Sequence, residues 1–464
     1  MAALSILTVK FIAVGLTKEL AGYYNSSYGY LQLFGILADF GLYAIAVREV
    51  AAAKNRSEVL GGLIILRTLI LILSLTLALA LVWILPQWTG TPLPISVTLA
   101  AFVPFFTLLA GILRTVFQVT YRMHYVFIAE VTQRIITTFL IGLFLFFGHR
   151  QTTDVRILFA FIAIGGLGAA ELFIVSWMFA RRLVPIRLSW NKERMQNLAR
   201  TAAPYGLAFL CVAAYRQFDV TMIALLRPDF ELQNAYYGFV LRMTDMGYII
   251  PTFLLNSVLP MLSERHAKGE DASSLLGKTF LLILILGSVS ALFAYFWAAP
   301  LVQLLTTDAY LSTATQVGSD AALRLQSIPM FLNGIILYSF YVLLTRHAWR
   351  PLVSLLAFGA LGSIILNVIL IPRYGFLGAC FTSIIVHCVL AATLLPVAQK
   401  ILPLKMPLSH IARWIFFSLV LGAALMFSAP FLTDSLRTVG GLLLAGGVML
   451  GLEEALRLRR IVGF

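Results

Sequence analysis

Charge is scarce in this chain. Only 12% of its 464 residues are Asp, Glu, Lys or Arg, about half the share found in an ordinary soluble domain. Hydrophobic residues make up 60%, which excludes a water-soluble globule. Cysteine is scarcer still. Cys211, Cys380 and Cys388 stand in apolar stretches without paired spacing, so a disulfide framework and a metal site are both excluded, and they read as small core residues. Long polar segments are missing: the longest, Arg181 to Arg200, is too short to fold by itself. There is no P-loop, no His-Glu-x-x-His and no nucleophile elbow, which leaves nucleotide, zinc and serine-hydrolase chemistry without their usual signatures. A cleavable leader is not expected, because no basic segment precedes the first apolar stretch and Lys10 interrupts it.

What is abundant is the long apolar run. A helix needs about 20 mostly apolar residues to cross a bilayer. Runs of that kind predict about fourteen helices, near 1–17, 28–47, 60–85, 96–117, 125–148, 155–180, 201–222, 234–259, 276–298, 318–344, 352–371, 376–397, 411–430 and 438–456. The first is short and starts at Met1, which leaves room for further residues upstream. The expected fold is all-α and polytopic.

Base exceeds acid by 34 residues to 20, a net charge of +14. In a soluble protein that excess would suggest nucleic acid; here alternate connectors account for it. One set carries most of the Lys and Arg, while the opposite set holds only Lys18, Arg150, Arg156, Arg227, Arg373 and Arg437. Basic connectors stay in the cytoplasm, so both termini are expected there. The connector 181–200 separates a six-helix lobe at 1–180 from a second at 201–397, leaving two further helices in 398–464. Tyr28-Gly29 and Tyr237-Gly238 are each expected to open a span after a polar turn, Asn25-Ser26-Ser27 and Gln233-Asn234. Such weakly repeated halves fit a transporter plan.

Six cations fall inside the predicted spans: Lys10, Arg67, Arg134, Arg216, Arg242 and Arg324. A cation at the bilayer centre costs about 2.5–3.5 kcal/mol on insertion scales, so each needs a partner, hydration or an anionic ligand. Local pairing is the plainer explanation for some. Glu130 and Arg134 stand at i,i+4, Arg216 and Asp219 at i,i+3, and Arg242 and Asp245 at i,i+3, spacings that share a helix face. Self-neutralisation is favoured for Glu130 and Arg134; for the other two pairs the choice stays open. Asp39 has two readings, a bridge to Lys10 or a proton carrier, and the bridge is preferred. Glu171 and Arg324 are expected to contact neighbouring helices, Arg67 to snorkel to the cytoplasmic surface, and His387 to make a polar contact. Pro104, Pro251 and Pro329 predict kinks. Gly447 and Gly451 allow close packing in the last helix. Trp83, Trp88, Trp297 and Trp414 read as membrane-interface anchors.

Three stretches carry a family resemblance. One is Pro204, then Tyr215-Arg216-Gln217-Phe218-Asp219, Tyr237-Gly238, Arg242, Pro260 and Ser263. A second is Asn367 with Pro372-Arg373-Tyr374-Gly375-Phe376-Leu377-Gly378-Ala379, and the third is Tyr28-Gly29 with Asp39-Phe40-Gly41-Leu42. Together they resemble the polysaccharide flippases, which include O-antigen and capsule repeat-unit flippases, of the multidrug/oligosaccharidyl-lipid/polysaccharide exporter superfamily. The resemblance implies two six-helix lobes around a central cavity and alternating access, with a turn at Gly375 joining the eleventh and twelfth helices. It also implies a cargo, a polyprenyl-pyrophosphate-linked oligosaccharide moved from the cytoplasmic to the outer leaflet of the cytoplasmic membrane for cell-surface polysaccharide synthesis. Membrane lipids and downstream polysaccharide assembly proteins are the further partners it suggests; nucleic acid is not among them.

Because the first, seventh and eighth helices line the cavity in that family, Lys10, Arg216 and Arg242 are the implied substrate-binding cations. Asp39, Asp219 and Asp245 are then either ion-coupling groups or structural partners. Arg suits a pyrophosphate because its planar fork makes two parallel hydrogen bonds. No catalytic residue, metal or cofactor is expected, and the driving force is left open between the membrane potential and an H⁺ or Na⁺ gradient. The alternatives are a peptidoglycan-precursor flippase and a multidrug antiporter; an integral-membrane polymerase or ligase is less favoured.

Overall fold

The computed structural model describes residues 2–39, 41–53, 55–185, 187–188, 190–267 and 273–456. Phe40 of the third motif lies outside the described residues, as do Lys54, Lys268, Arg457, Arg459 and Arg460 of the charge pattern and the side chains of Arg48, Pro260, Ser263 and Arg265. The chain forms two compact units, Met1–Gly238 and Phe239–Phe464.

The first unit holds α1 (Ala2–Gly15), α2 (Lys18–Asp39), α3 (Leu42–Ala52), α4 (Arg56–Ile84), α5 (Leu93–Ala100), α6 (Phe102–Val119), α7 (His124–Phe146), α8 (Val155–Leu183), α9 (Lys192–Arg216), α10 (Asp219–Leu226) and the start of α11 (Phe230–Ala267). Within it, α8 packs on α6 and α7, α7 on α1, and α2 on α4, α5, α9 and α10. A core of Leu60, Leu63, Ile112, Leu113, Phe117 and Ala202 sits where α3, α4, α6 and α9 meet.

The second unit continues α11 and adds α12 (Ser273–Phe296), α13 (Ala298–Leu305), α14 (Ser319–Thr345), α15 (Trp349–Tyr374), α16 (Phe376–Ile401), α17 (Leu408–Ser428) and α18 (Ser435–Ala455). Here α14 packs between α12 and α16, α15 on α16, and α17 on α12 and α18.

All elements longer than a bridge are helical among the described residues. Backbone groups in hydrocarbon have no water to bond, so a helix that satisfies its own is the stable solution. Each predicted run falls on helical chain, although 28–47 is divided between α2 and α3 and 201–222 between α9 and α10, and the count of fourteen spans is not reproduced. Eleven described segments are long and apolar enough to cross a membrane, and α1 contributes only the shorter apolar helix Leu4–Gly15. Neither α2 nor α11 is among the eleven; both carry polar residues along their first half, Asn25, Ser26 and Ser27 on one and Gln233, Asn234 and Arg242 on the other.

Those polar residues correct the sequence reading. Asn25-Ser26-Ser27 and Gln233-Asn234 are not turns: α2 already runs from Lys18 and α11 from Phe230. Asn25, Ser26, Ser27 and Asn234 are all buried. The tryptophans divide as well. Trp83 is 58% exposed, but Trp88 and Trp297 are each 1% exposed and are core residues rather than interface anchors. Their indole N–H groups donate to Ala224 O at 2.9 Å and to Leu425 O at 3.0 Å, which removes the reason to sit at the wet boundary. Trp414 is half-buried and donates to Ser288 Oγ at 2.9 Å. Cys211 and Cys380 are buried as expected, whereas Cys388 is exposed.

Candidate functional site

The resemblance motifs map onto places where helices break or cross. The first is the Asp39-Gly41 joint. α2 ends at Asp39 and α3 starts at Leu42, with Gly41 between them at φ +69. That left-handed conformation disfavours any residue with a Cβ, and one added here would lie 2.6 Å from Gly206 N on α9. Beside the joint, Arg67 Nη2 of α4 donates to Asp39 Oδ1 and forms an ion pair with it. The Arg67 side chain is only 3% exposed, so it does not snorkel; it crosses toward α2, and its guanidinium lies beside Gly111 of α6. Asp39 therefore has an arginine partner on α4, where the sequence suggested Lys10.

The second joint is in the Tyr215–Asp219 motif. α9 ends at Arg216 and α10 begins at Asp219, so this pair does not share one continuous helix face as its i,i+3 spacing implied. The break sets each charge against a favourable helix end. Arg216 lies in the last turn of α9 and Asp219 in the first turn of α10, and cations are stabilised at carboxyl ends and anions at amino ends by about 0.3–1 kcal/mol. Asp219 is buried and accepts a hydrogen bond from Tyr237 Oη at 2.8 Å; Arg216 is half-buried.

The third is a crossing of α2 with the start of α11. Asn234 Nδ2 donates to Ser26 Oγ at 2.9 Å and to Val220 O at 3.0 Å, while Asn25 Nδ2 donates to Asn234 O at 3.1 Å. Small residues let the backbones come together. A Cβ at Gly22 would overlap Glu231 O, and one at Gly238 would lie 2.5 Å from Asn25 Cβ. Close approach through small residues with polar side chains bonded across it is a membrane-helix packing mode. At the mouth of this crossing Lys18 Nζ donates to Tyr236 Oη at 3.0 Å.

In the connector before α11, Arg227 holds Asp229 through Nε at 2.8 Å and Nη2 at 3.0 Å, and Gln233 Nε2 adds a bond at 2.7 Å. Burial pushes the Asp229 carboxyl up, but these hydrogen bonds, the Arg227 charge and a backbone bond together hold it below its ordinary value.

Lys10, half-buried on α1, belongs to the same unit as Arg216, Asp219 and Asp39. Arg242 and Asp245 belong to the second unit, half-buried on the unbroken α11, so their i,i+3 spacing does place them along one helix. The remaining charges differ from expectation. Glu130 pairs with Arg114 of α6, a partner that helical spacing could not reveal. Arg134 is exposed near the middle of α7, and Arg324 is exposed on α14. No partner reaches the Glu171 carboxyl among the described residues. His387 is buried with Nδ1 2.7 Å from Ser383 O, the polar contact its sequence position suggested.

The fourth joint is in the second unit. α15 ends at Tyr374 and α16 begins at Phe376, with Gly375 alone between them at φ +58 and ψ −137. Gly375 N donates to Ile371 O at 2.8 Å and Gly378 N to Gly375 O at 3.0 Å. This is the turn that the Pro-x-Tyr-Gly-x-x-Gly-Ala pattern implied.

Three of these four joints lie within the part of the chain that a known family covers: the family described as polysaccharide biosynthesis protein matches residues 1–266, more than half of the sequence. The chain belongs to the polysaccharide biosynthesis protein family. Comparison with curated protein sequences gives no match. Among solved structures, this family member is similar to the lipid II flippase MurJ in an inward closed conformation, with 12% identity, a TM-score of 0.72, and coverage of 98% of this chain and 96% of that one. It is also similar to a multidrug resistance MATE family transporter of the MOP superfamily in an inward-facing conformation, with 16% identity, a TM-score of 0.63, and coverage of 86% and 94%. A third similar structure is that of the MATE multidrug transporter DinF-BH, with 15% identity, a TM-score of 0.59, and coverage of 87% and 93%. At such identities the likeness is one of fold. This member of the polysaccharide biosynthesis protein family is a multi-pass, all-helical membrane protein with that shared fold.

Proposed function

We propose that this chain is a flippase that moves a polyprenyl-pyrophosphate-linked oligosaccharide from the cytoplasmic to the outer leaflet by alternating access, for cell-surface polysaccharide synthesis. The observation that carries the reading is the family match over residues 1–266, a stretch that contains Lys10, Arg216 and Arg242. A cargo of this kind needs cationic partners for its pyrophosphate, a hydrated route for its sugars and a lateral opening for its tail. Arg216 and Arg242 supply forked donors, and Lys10 a point charge. Asp219 and Asp245, each three residues from one of these arginines, and Asp39, paired with Arg67, serve either as ion-coupling groups or as structural partners.

The chain acts as a transporter without a catalytic residue or resident cofactor. It lies in the cytoplasmic membrane with both termini inside, as the uneven distribution of Lys and Arg favours. Its lobes are residues 1–180 and 201–397, joined by 181–200 and followed by two helices in 398–464. The driving force is the membrane potential or an ion gradient.

One competing reading has a specific observation behind it. The likeness to MurJ extends over 98% of this chain, and that protein is named a lipid II flippase, so a peptidoglycan precursor is the alternative cargo. The MATE likeness makes a cationic drug the next alternative; prominent cations inside the spans disfavour it.

The test is leaflet exchange in proteoliposomes with fluorescent polyprenyl-pyrophosphate lipids. One set carries a repeat-unit oligosaccharide and the other the peptidoglycan disaccharide-peptide. Protein-dependent exchange of the first supports the proposal. Exchange of the second alone reassigns the cargo, and exchange of neither overturns the flippase reading.

A further inference from the structure

A carboxylate inside a membrane helix requires a cation, several hydrogen-bond donors, or else a proton that removes its charge. Glu171 has neither of the first two. It lies near the middle of α8, both of its carboxyl oxygens are shut off from solvent, and neither has a hydrogen-bond partner among the described residues. Its neighbours one turn away, Leu167 and Ile174, are apolar and 62% and 55% exposed, so the carboxyl sits at the edge of an apolar strip. On the α7 side, Gly168 meets Thr137 and Gln133, and the Thr137 hydroxyl is already donated to Gln133 O at 2.8 Å.

The helices packed against α8 are α2, α5, α6 and α7, and their charges are engaged elsewhere or do not bond to Glu171. Arg114 of α6 holds Glu130 of α7. Asp39 of α2 is held by Arg67, and Lys18 bonds to Tyr236. Arg134 and His124 of α7, Glu19 of α2, and the tyrosines of these two helices do not hydrogen-bond to either oxygen; α5 carries no titratable group. Among the described residues the ionised form thus has no hydrogen bond to offset its burial, whereas the neutral acid needs far less solvation.

We propose that Glu171 is a proton-binding site: it holds a proton in this conformation and releases it when the transport cycle brings water to α8, linking cargo movement to a proton gradient. The O–H bond of the acid breaks, the proton passes to water and the carboxylate remains. The coupling rests on the flippase reading; the proton site does not.

Infrared spectra of the full-length protein in lipid test the site directly, since a protonated carboxyl has a carbonyl band that a carboxylate lacks. At neutral pH such a band is expected in the wild type, shifted in heavy water, absent in Glu171→Gln and present at an altered position in Glu171→Asp. Spectra of wild type and Glu171→Gln that coincide in this region overturn the proposal. Glu171→Gln mimics the neutral acid in shape, so equal thermal melting of the two proteins is expected as a control on folding. In proteoliposomes holding a fluorescent polyprenyl-pyrophosphate oligosaccharide, an imposed pH gradient changes the wild-type exchange rate several-fold, and Glu171→Gln loses that response. A response equal to wild type in Glu171→Gln overturns the coupling. No exchange by the wild type overturns the coupling together with the flippase reading, and the infrared band still decides the proton site.

Discussion

Arg67 reaches from α4 to Asp39 at the end of α2, in a unit where its own side chain is 3% exposed and that of Asp39 is 26% exposed. The two are far apart in sequence, yet their pairing ties α4 to the end of α2 beside the joint at Gly41. The asymmetry in burial makes the two deletions unequal. Asp39→Ala leaves a buried guanidinium without its carboxylate, a loss of about 3–5 kcal/mol by analogy with other buried pairs. Arg67→Ala leaves an acid that keeps some contact with solvent, and should cost less. Thermal melting of the purified protein in detergent, ranking Asp39→Ala below Arg67→Ala, is the check; equal melting of both variants and the wild type removes the pair from the fold's support.

The crossing of α2 with α11 gives a second test. Asn234→Ala removes the donor to Ser26 Oγ and Val220 O inside a buried crossing, a loss of roughly 1–3 kcal/mol. Asn234→Asp keeps the shape but replaces the donating amide with an acid, so it should be at least as harmful. Melting temperatures lowered in both variants are expected, with Gly238→Leu lower still because its side chain has to enter the space of Asn25.

This crossing also marks where sequence reasoning stopped. Long apolar runs located the helices because hydrocarbon leaves the backbone no alternative, and the turn at Gly375 was legible through the family resemblance of the motif around it. Asn25, Ser26 and Asn234 were misread as turns, since local rules assign such residues to loops. What joins them is mutual: Asn234 donates to Ser26 and Asn25 to the Asn234 backbone, across some two hundred residues. Trp88 and Trp297 were misplaced for the same reason, their acceptors Ala224 and Leu425 being invisible to spacing. The Arg67–Asp39 and Arg114–Glu130 pairs likewise join different helices. The candidate cations Lys10, Arg216 and Arg242 could be named from charge and resemblance, but the break between Arg216 and Asp219 could not.

At the turn between α15 and α16, Gly375→Ala should be costly. The backbone there, at φ +58 and ψ −137, lies close to a region used almost only by glycine, and a side chain adds strain of about 1–3 kcal/mol. A melting temperature unchanged by Gly375→Ala would mean that the turn relaxes to another conformation at little cost.

The connector ahead of α11 carries a pH dependence with a definite sign. Asp229 has its carboxyl lowered in the folded state, so the folded protein binds its proton less readily than the unfolded chain does. The stability this contributes is present above the ordinary Asp value of about 3.9 and is lost as the pH falls from there through the lower folded value. Both side chains are partly exposed, 26% for Arg227 and 37% for Asp229, so the contribution is screened and worth roughly 0.5–1 kcal/mol. Asp229→Asn should lower the melting temperature at neutral pH and approach the wild type as the solution is acidified. A gap that widens on acidification contradicts the assignment.

The last prediction concerns the cations themselves. If Arg216 and Arg242 receive the pyrophosphate, Arg216→Ala and Arg242→Ala should each reduce exchange of a polyprenyl-pyrophosphate lipid about tenfold or more, on the scale of one charge-assisted hydrogen bond of about 1.5–3 kcal/mol. Lys at either position restores charge without the fork, so partial recovery is expected. The acid partners separate this from a purely structural role. Asp219 is buried against Tyr237, so Asp219→Asn should lower thermal stability. Arg216→Ala removes a half-buried side chain at a helix end and should affect exchange more than melting. Exchange and melting measured on one set of variants decide between them. Parallel losses in both quantities make Arg216 a strut of the α9–α10 break, whereas exchange lost with melting retained makes it part of the anion's path.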